Sequence, residues 1–222
     1  MNEETGCRIR DETREFMRTV ELPSRVGTFE LHEAFSVGDN AVEIFNYESA
    51  EHRCKVIAYY DGATHEYKVR IRLGLIEWCL TRFFDGAFRK FFERFRAELE
   101  PLLERIDKND FGSSTFIDEL KLDGWKYGSD LPEELNGFKL FIRPSNPVEF
   151  TNGSFIVINY VDFDRRRDLV IYYNIYSNEF SGEERFEGQT HVLYDFDAKT
   201  LGELESKLKE HLAWHLAARH AP

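Results

Sequence analysis

The C-terminal stretch HLAWHLAARH holds His211, His215 and His220. Residues four apart share one face of a helix, so His211 and His215 have the spacing of two ligands to a single metal ion. A metal site needs a third ligand, which the sequence does not nominate, and the position after His211 is Leu212 rather than the Glu of a metalloprotease helix. The competing reading places these imidazoles near a helix C-terminus, where the backbone dipole favours positive charge.

Other groups invite chemistry less specifically. Cys54 has His52 two residues away, and a nucleophilic thiolate needs such a neighbour to lower its pKa. A buried, inert thiol is the plainer alternative. Asp162 and Asp164 adjoin Arg165, Arg166 and Arg167, as expected of a solvated, self-paired turn. Asp195 and Asp197 precede a helix that they could help to cap. Paired carboxylates serve acid–base catalysis, but an acidic chain offers many such pairs. Phosphate-cradling glycine loops and the GxSxG nucleophile turn are absent from the sequence.

The most distinctive pattern is a repetition. Asn46-Tyr47 recurs as Asn159-Tyr160, and Tyr59-Tyr60 recurs as Tyr172-Tyr173, all at an offset of 113. Arg53 and Arg166, Glu66 and Glu179, Arg72 and Arg185, Phe83 and Phe196, Leu99 and Leu212, and Leu103 and Leu216 keep the same offset, without a gap over residues 41–106. Upstream, alignment of Gly27 with Gly137 leaves three extra residues in the second half. The pattern predicts a tandem duplication with units 1–110 and 111–222, divided near the polar segment 107–114.

Each unit reads as α+β. Strands are expected at 28–35, 41–48, 54–61, 65–73 and 77–83, with partners at 138–143, 154–161, 168–176, 179–186 and 190–196. Asp39-Asn40 and Asn152-Gly153 are the hairpin turns between the first two strands of each set. A short helix is expected first, at 11–20 and 115–122. A closing helix follows at about 86–106 and 201–218, with Asp85 and Thr200 as N-caps. The central strands FIVINY and LVIYY are apolar on alternate positions of both faces, which predicts cover on both sides. The closing helix supplies one cover. The twin unit or a partner chain supplies the other, giving a pseudo-dimer or a homodimer. The Phe-rich helix at 86–106 carries a basic outer face, and its second apolar edge offers a docking surface for a partner helix.

The repeated pairs then have two readings. They are packing features, since a buried Tyr or Asn must find hydrogen-bond partners. Alternatively Asn46, Tyr47, Tyr59, Tyr60, Asn159, Tyr160, Tyr172 and Tyr173 line a ligand site.

Composition narrows the function classes. The 222-residue chain has a net charge of −12. Residues 1–110 hold 17 Lys/Arg against 22 Asp/Glu, and the remainder 12 against 19, so neither unit is basic. Phosphate-backbone binding depends on clustered Lys and Arg, so no nucleic-acid partner is expected. No apolar run approaches the roughly 20 residues of a membrane helix, and no leader peptide is visible. Cys7, Cys54 and Cys79 are odd in number and irregularly spaced, which suits the reducing cytoplasm. The leading expectation is a non-catalytic, acidic, cytoplasmic protein that binds a basic protein, in the manner of an immunity protein or a dedicated chaperone, with no cofactor. The alternatives are a module binding a small ligand in a Tyr-lined pocket, or a metal-assisted hydrolase using His211 and His215.

Overall fold

The computed structural model describes residues 1–108, 110, 114–151, 153–186 and 188–217. Asn152 of the expected second hairpin turn, most of the centre of the 107–114 boundary, and His220 fall outside the described residues. The architecture is α+β with two antiparallel sheets, of six and seven strands. By contacts the chain divides into the units Met1–Asn109 and Asp110–Pro222.

The first unit opens with helix α1 (Glu3–Met17), which begins eight residues before the expected position. Its start is set by Asn2, whose side chain accepts the Thr5 N–H, with Glu3 and Glu4 at the positive end of the dipole. The helix is polar almost throughout, and its buried positions are only Gly6, Ile9 and Thr13, so the apolar periodicity that marks a helix is faint there. Six strands follow in sheet order: β1 (Arg25–Val26), β2 (Phe29–Val37), β3 (Ala41–Ser49), β4 (Cys54–Asp61), β5 (Glu66–Leu73) and β6 (Ile76–Asp85). Helix α2 (Phe88–Asp107) comes next and buries Phe91, Phe92, Phe95, Leu99, Leu102, Leu103 and Ile106. Its N-cap is Ala87 rather than Asp85. Asp85 still belongs to β6, and its carboxylate accepts the Ala87 N–H at 2.9 Å.

The second unit begins with α3 (Ser114–Leu120) and the single turn α4 (Lys126–Ser129). Its strands are β7 (Glu134–Leu135), β8 (Phe138–Ile142), β9 (Val148–Thr151), β10 (Ser154–Asp162), β11 (Arg167–Asn174), β12 (Glu179–Phe186) and β13 (Gln189–Ala198). The sheet order is β13-β12-β11-β10-β8-β7, with β9 also paired to β10. Helix α5 (Leu201–His215) follows, with Thr200 as N-cap accepting the Glu203 N–H at 3.2 Å. The strands β1, β7 and β9 were not expected, because two to four residues are too few to show a period of two.

Internal features of the two units correspond closely. Ladders slip at Glu43/Phe45 in β3 and at Ile156/Ile158 in β10, again 113 apart. Leu80 and Asp85 of β6 face Val69 and Tyr67, and Leu193 and Ala198 of β13 face Gly182 and Phe180, so both last strands bulge strongly over the same length. Arg53 and Arg166 both adopt left-handed backbone in the hairpin before β4 and β11. The strand registers correct the upstream alignment. Val26 pairs with Phe29 and Leu135 with Phe138, an offset of 109, so the second unit carries four extra residues rather than three. They fall where Pro144 and Pro147, which donate no backbone hydrogen bond, part β8 from β9.

The second unit's core gathers Phe116, Trp125, Phe138, Phe155, Tyr160, Tyr173, Phe180 and Phe196 with Leu204, Leu208, Leu212 and Leu216. Phe196 is fully buried and lies against Gly182, where an added Cβ would come within 2.7 Å of its ring. Replacing Phe196 by Ala should lower the unfolding free energy by about 3–5 kcal/mol, read from the urea midpoint, because a fully buried ring is removed from the core and a cavity is left.

Candidate functional site

The repeated pairs occupy adjacent positions on strands, so their members point to opposite faces of each sheet. On the core face, Tyr47 and Tyr160 are fully buried. Their hydroxyls donate to the Pro23 carbonyl at 2.7 Å and the Pro132 carbonyl at 2.8 Å. Burial raises both phenol pKa values. Tyr60 and Tyr173 share that face and reach the turns that follow: Tyr60 Oη meets His65 Nδ1 at 3.1 Å, and Tyr173 Oη donates to Asn178 Oδ1 at 3.3 Å. Tyr59 points the other way, with Cys79 Sγ 3.3 Å from its hydroxyl and the Arg70 guanidinium 4.7 Å over its ring. The Tyr-Tyr pairs therefore do not converge as one lining within either unit.

What the structure does assemble is a polar network on the face opposite the core helix. In the first unit Asn46 donates to Glu43 at 2.9 Å, and Glu77 of β6 accepts from Arg70 at 3.1 Å and from Arg72 at 2.9 Å. In the second unit Asn159 donates to Asp168 at 3.3 Å, and Arg185 grips both oxygens of Asp168, at 2.9 and 2.5 Å. Asp168 is fully buried. Burial raises its carboxyl pKa, opposed by the attraction and hydrogen bonds of Arg185. Tyr172 lies in the same group, its phenol pKa raised first by burial, with Arg185 pulling the other way. The side-chain oxygens of Asn46 and Asn159 are buried and accept no hydrogen bond among the described residues. The sequence offered Asn46, Asn159 and Tyr172, but it did not single out Glu43, Arg70, Glu77 or Asp168.

A second cluster contains the residue types of a hydrolase triad. Asp107, at the end of α2, accepts from Thr28 N at 3.1 Å and Thr28 Oγ1 at 2.5 Å, and lies 3.3 Å from His52 Nε2. Ser49 Oγ is 2.8 Å from Thr28 Oγ1 and accepts the His52 backbone N–H at 3.3 Å. A nucleophile must contact the base's ring nitrogen, whereas here the ring turns to Asp107 and Ser49 is sealed from solvent. The cluster ties α2 to two hairpin turns. It also takes His52 away from Cys54, whose thiol pKa burial pushes up to about 12.

The remaining candidates are held locally. Asp162 accepts the Asp164 and Arg165 backbone N–H groups and pairs with the Arg165 guanidinium, which closes the turn. His215 Nε2 lies 3.0 Å from Asp195 Oδ2, and His211 Nε2 lies 3.7 Å from Glu210 Oε2. Both imidazoles flank the ring of Phe196. Among the described residues no three His, Cys, Asp or Glu side chains group to hold a metal ion.

One further feature escaped the sequence. Strand β13 ends its sheet, so one backbone edge of it has no strand partner among the described residues. Val192 is 53% exposed and Tyr194 is 76% exposed, on one face of that edge. Natural edges are blunted by charged side chains, especially Lys, by Pro, by short length or by a bulge. QTHVLY holds no Lys, Pro, Asp or Glu, and the bulge of β13 begins only after Leu193.

Neither a family model, nor a curated protein, nor a solved structure matches the chain.

Two predictions test these groups. Arg185→Leu should destabilise the protein by about 3–5 kcal/mol by stranding a buried carboxylate, and Asp168→Leu combined with Arg185→Leu should recover most of that loss in chemical denaturation. The hydrogen bonds from Thr28, followed by that from His52, depress the Asp107 pKa, so its stabilising contribution is complete above the unfolded carboxylate value of about 3.9 and fades as pH falls through the lower folded value. Asp107→Asn should therefore flatten the acid limb of a melting-temperature profile below about pH 4.

Proposed function

We infer that this chain is a non-catalytic, acidic, cytoplasmic protein-binding protein that accepts a strand from a basic partner on the free edge of β13. The observation that carries this reading is that edge: Gln189–Tyr194 pairs with β12 on one side and has no strand partner on the other among the described residues, holds no Lys, Arg, Asp or Glu, and exposes Val192 and Tyr194. Strand addition uses backbone hydrogen bonds for affinity and alternate side chains for selectivity. The net charge of −12 supplies long-range attraction for a positively charged partner and speeds encounter.

The matched bulges, hairpin geometry and tyrosine anchors support an origin by tandem duplication, each copy closed by a C-terminal helix. The three cysteines are unpaired, which fits a reducing compartment. No helix is long and apolar enough to cross a membrane among the described residues.

The reading is tested by immobilising the protein and exposing it to native lysate at low and high salt, beside a variant with Val192→Ser and Tyr194→Ser. This variant leaves the charge unchanged and alters only exposed side chains. A basic protein held at low salt, released at high salt and captured at least tenfold less by the variant is the expected result. Equal capture by both forms, or salt-independent capture, refutes the reading.

A further inference from the structure

The strand behind the free edge carries a carboxylate that lacks a cation. Of the charged side chains of β12, Glu179 pairs with Lys199, Glu184 with Arg167 and Arg185 with Asp168, whereas Glu183 enters no ion pair among the described residues. Glu183 is half-buried. Arg185, two residues along the same face, is committed to both oxygens of Asp168. Burial is the main cause that raises the Asp168 carboxyl and Tyr172 phenol pKa values, and the nearby charge of Glu183 adds to both.

The first unit shows what is missing. At the offset of 113 the position of Glu183 is held by Arg70. Arg70 finds its counter-charges within its own sheet, Glu77 at 3.1 Å and Glu43 at 4.0 Å. It faces Cys79 of the edge strand β6, as Glu183 faces Val192 of β13. In the second unit the charge is inverted and both counter-charges are gone: Thr190 stands at the position of Glu77 and Ile156 at that of Glu43. Glu183 has no complement within its sheet, and the strand next to it has no further strand partner among the described residues.

We propose that the strand received by β13 sets an Arg or Lys beside Val192, and that this side chain crosses Val192 to pair with Glu183. This rests on β13 being a strand-accepting edge, and it names the contact by which that edge selects a basic strand. Pairing of β12 with β13 is continuous from Gln189 to Leu193, so Val192 lies in regular strand. Directly opposed residues share a face, so the incoming residue beside Val192 stands on the face of Glu183. Two strand spacings, roughly 10 Å, separate the two backbones. A long cationic side chain lays its methylenes over the exposed Val192 and brings its charge to the carboxylate. A cation one residue to either side falls on the other face, where Glu184 is already held by Arg167.

The test is fluorescence anisotropy of the full chain with a labelled, end-blocked peptide, Thr-Val-Thr-Arg-Thr-Val-Thr, and with the same peptide carrying citrulline, the neutral isostere of Arg. Circular dichroism verifies folding of each variant. The wild type should bind the Arg peptide about tenfold more tightly than the citrulline peptide, as a charge-assisted hydrogen bond allows. Glu183→Gln should erase that preference and leave the affinity for the citrulline peptide unchanged. Glu210→Gln, which removes the same charge from the exposed face of α5, should keep the preference. Equal binding of the two peptides by the wild type, a preference that survives Glu183→Gln, or a preference lost equally in Glu210→Gln overturns the proposal. If the peptides bind equally and Val192→Ser with Tyr194→Ser abolishes binding, the edge accepts strands and only the pairing with Glu183 fails. If neither peptide binds, or binding ignores that double change, the strand-accepting reading and the proposal fall together.

Discussion

Tyr47 and Tyr160 are sealed from solvent on the core face of their sheets, and a phenol hydroxyl in that setting must donate or lose on the order of 1–3 kcal/mol. Each donates to a proline carbonyl in the segment that leads into the first hairpin of its unit. With that segment pinned, the two-residue turns that follow bring Val26 against Phe29 and Leu135 against Phe138. The register of β2 and β8 follows, and with it the face on which every later side chain falls. A slip of one residue would turn Tyr47 outwards and bring Asn46 into the apolar core.

That constraint explains why the repeated residues do not form one site. Adjacent strand positions diverge, so each pair contributes a tyrosine to the core and a polar residue, or the other tyrosine, to the opposite face. The ion-paired face has a different energetic character. Asp168 loses its hydration on burial, which raises its pKa against the pull of Arg185 and Asn159, and that desolvation offsets much of what the pair contributes to stability. A slipped β12 would leave the carboxylate without its partner.

Ten of the thirteen strands and the helices α2 and α5 were legible in the sequence because they rest on local periodicity. Helix α1 was misplaced because its apolar face is three small or isolated positions, Gly6, Ile9 and Thr13. The network was illegible for a different reason. Arg185 and Asp168 lie 17 residues apart, and only the β11–β12 register makes them neighbours. The openness of β13 depends on the order of strands in the sheet, which no stretch of ten residues encodes.

The two networks differ at the point where the edges differ. Arg72 and Arg185 occupy corresponding positions, and each holds a carboxylate. In the first unit that carboxylate is Glu77, on the edge strand β6. In the second it is Asp168, on the central strand β11, and the position corresponding to Glu77 is Thr190. Moving the carboxylate one strand inwards has two consequences. It buries the charge, which raises the demand on Arg185. It also leaves position 190 without a carboxylate, so among the described residues Thr190, Val192 and Tyr194 bring no ion pair to that face of the edge. In β6 the same face is committed through Glu77 to Arg70 and Arg72, and a charged edge resists strand addition. The exposure of β13 is therefore linked to the buried pair behind it: returning the carboxylate to position 190 would compete for Arg185 and place a charge on the edge at once.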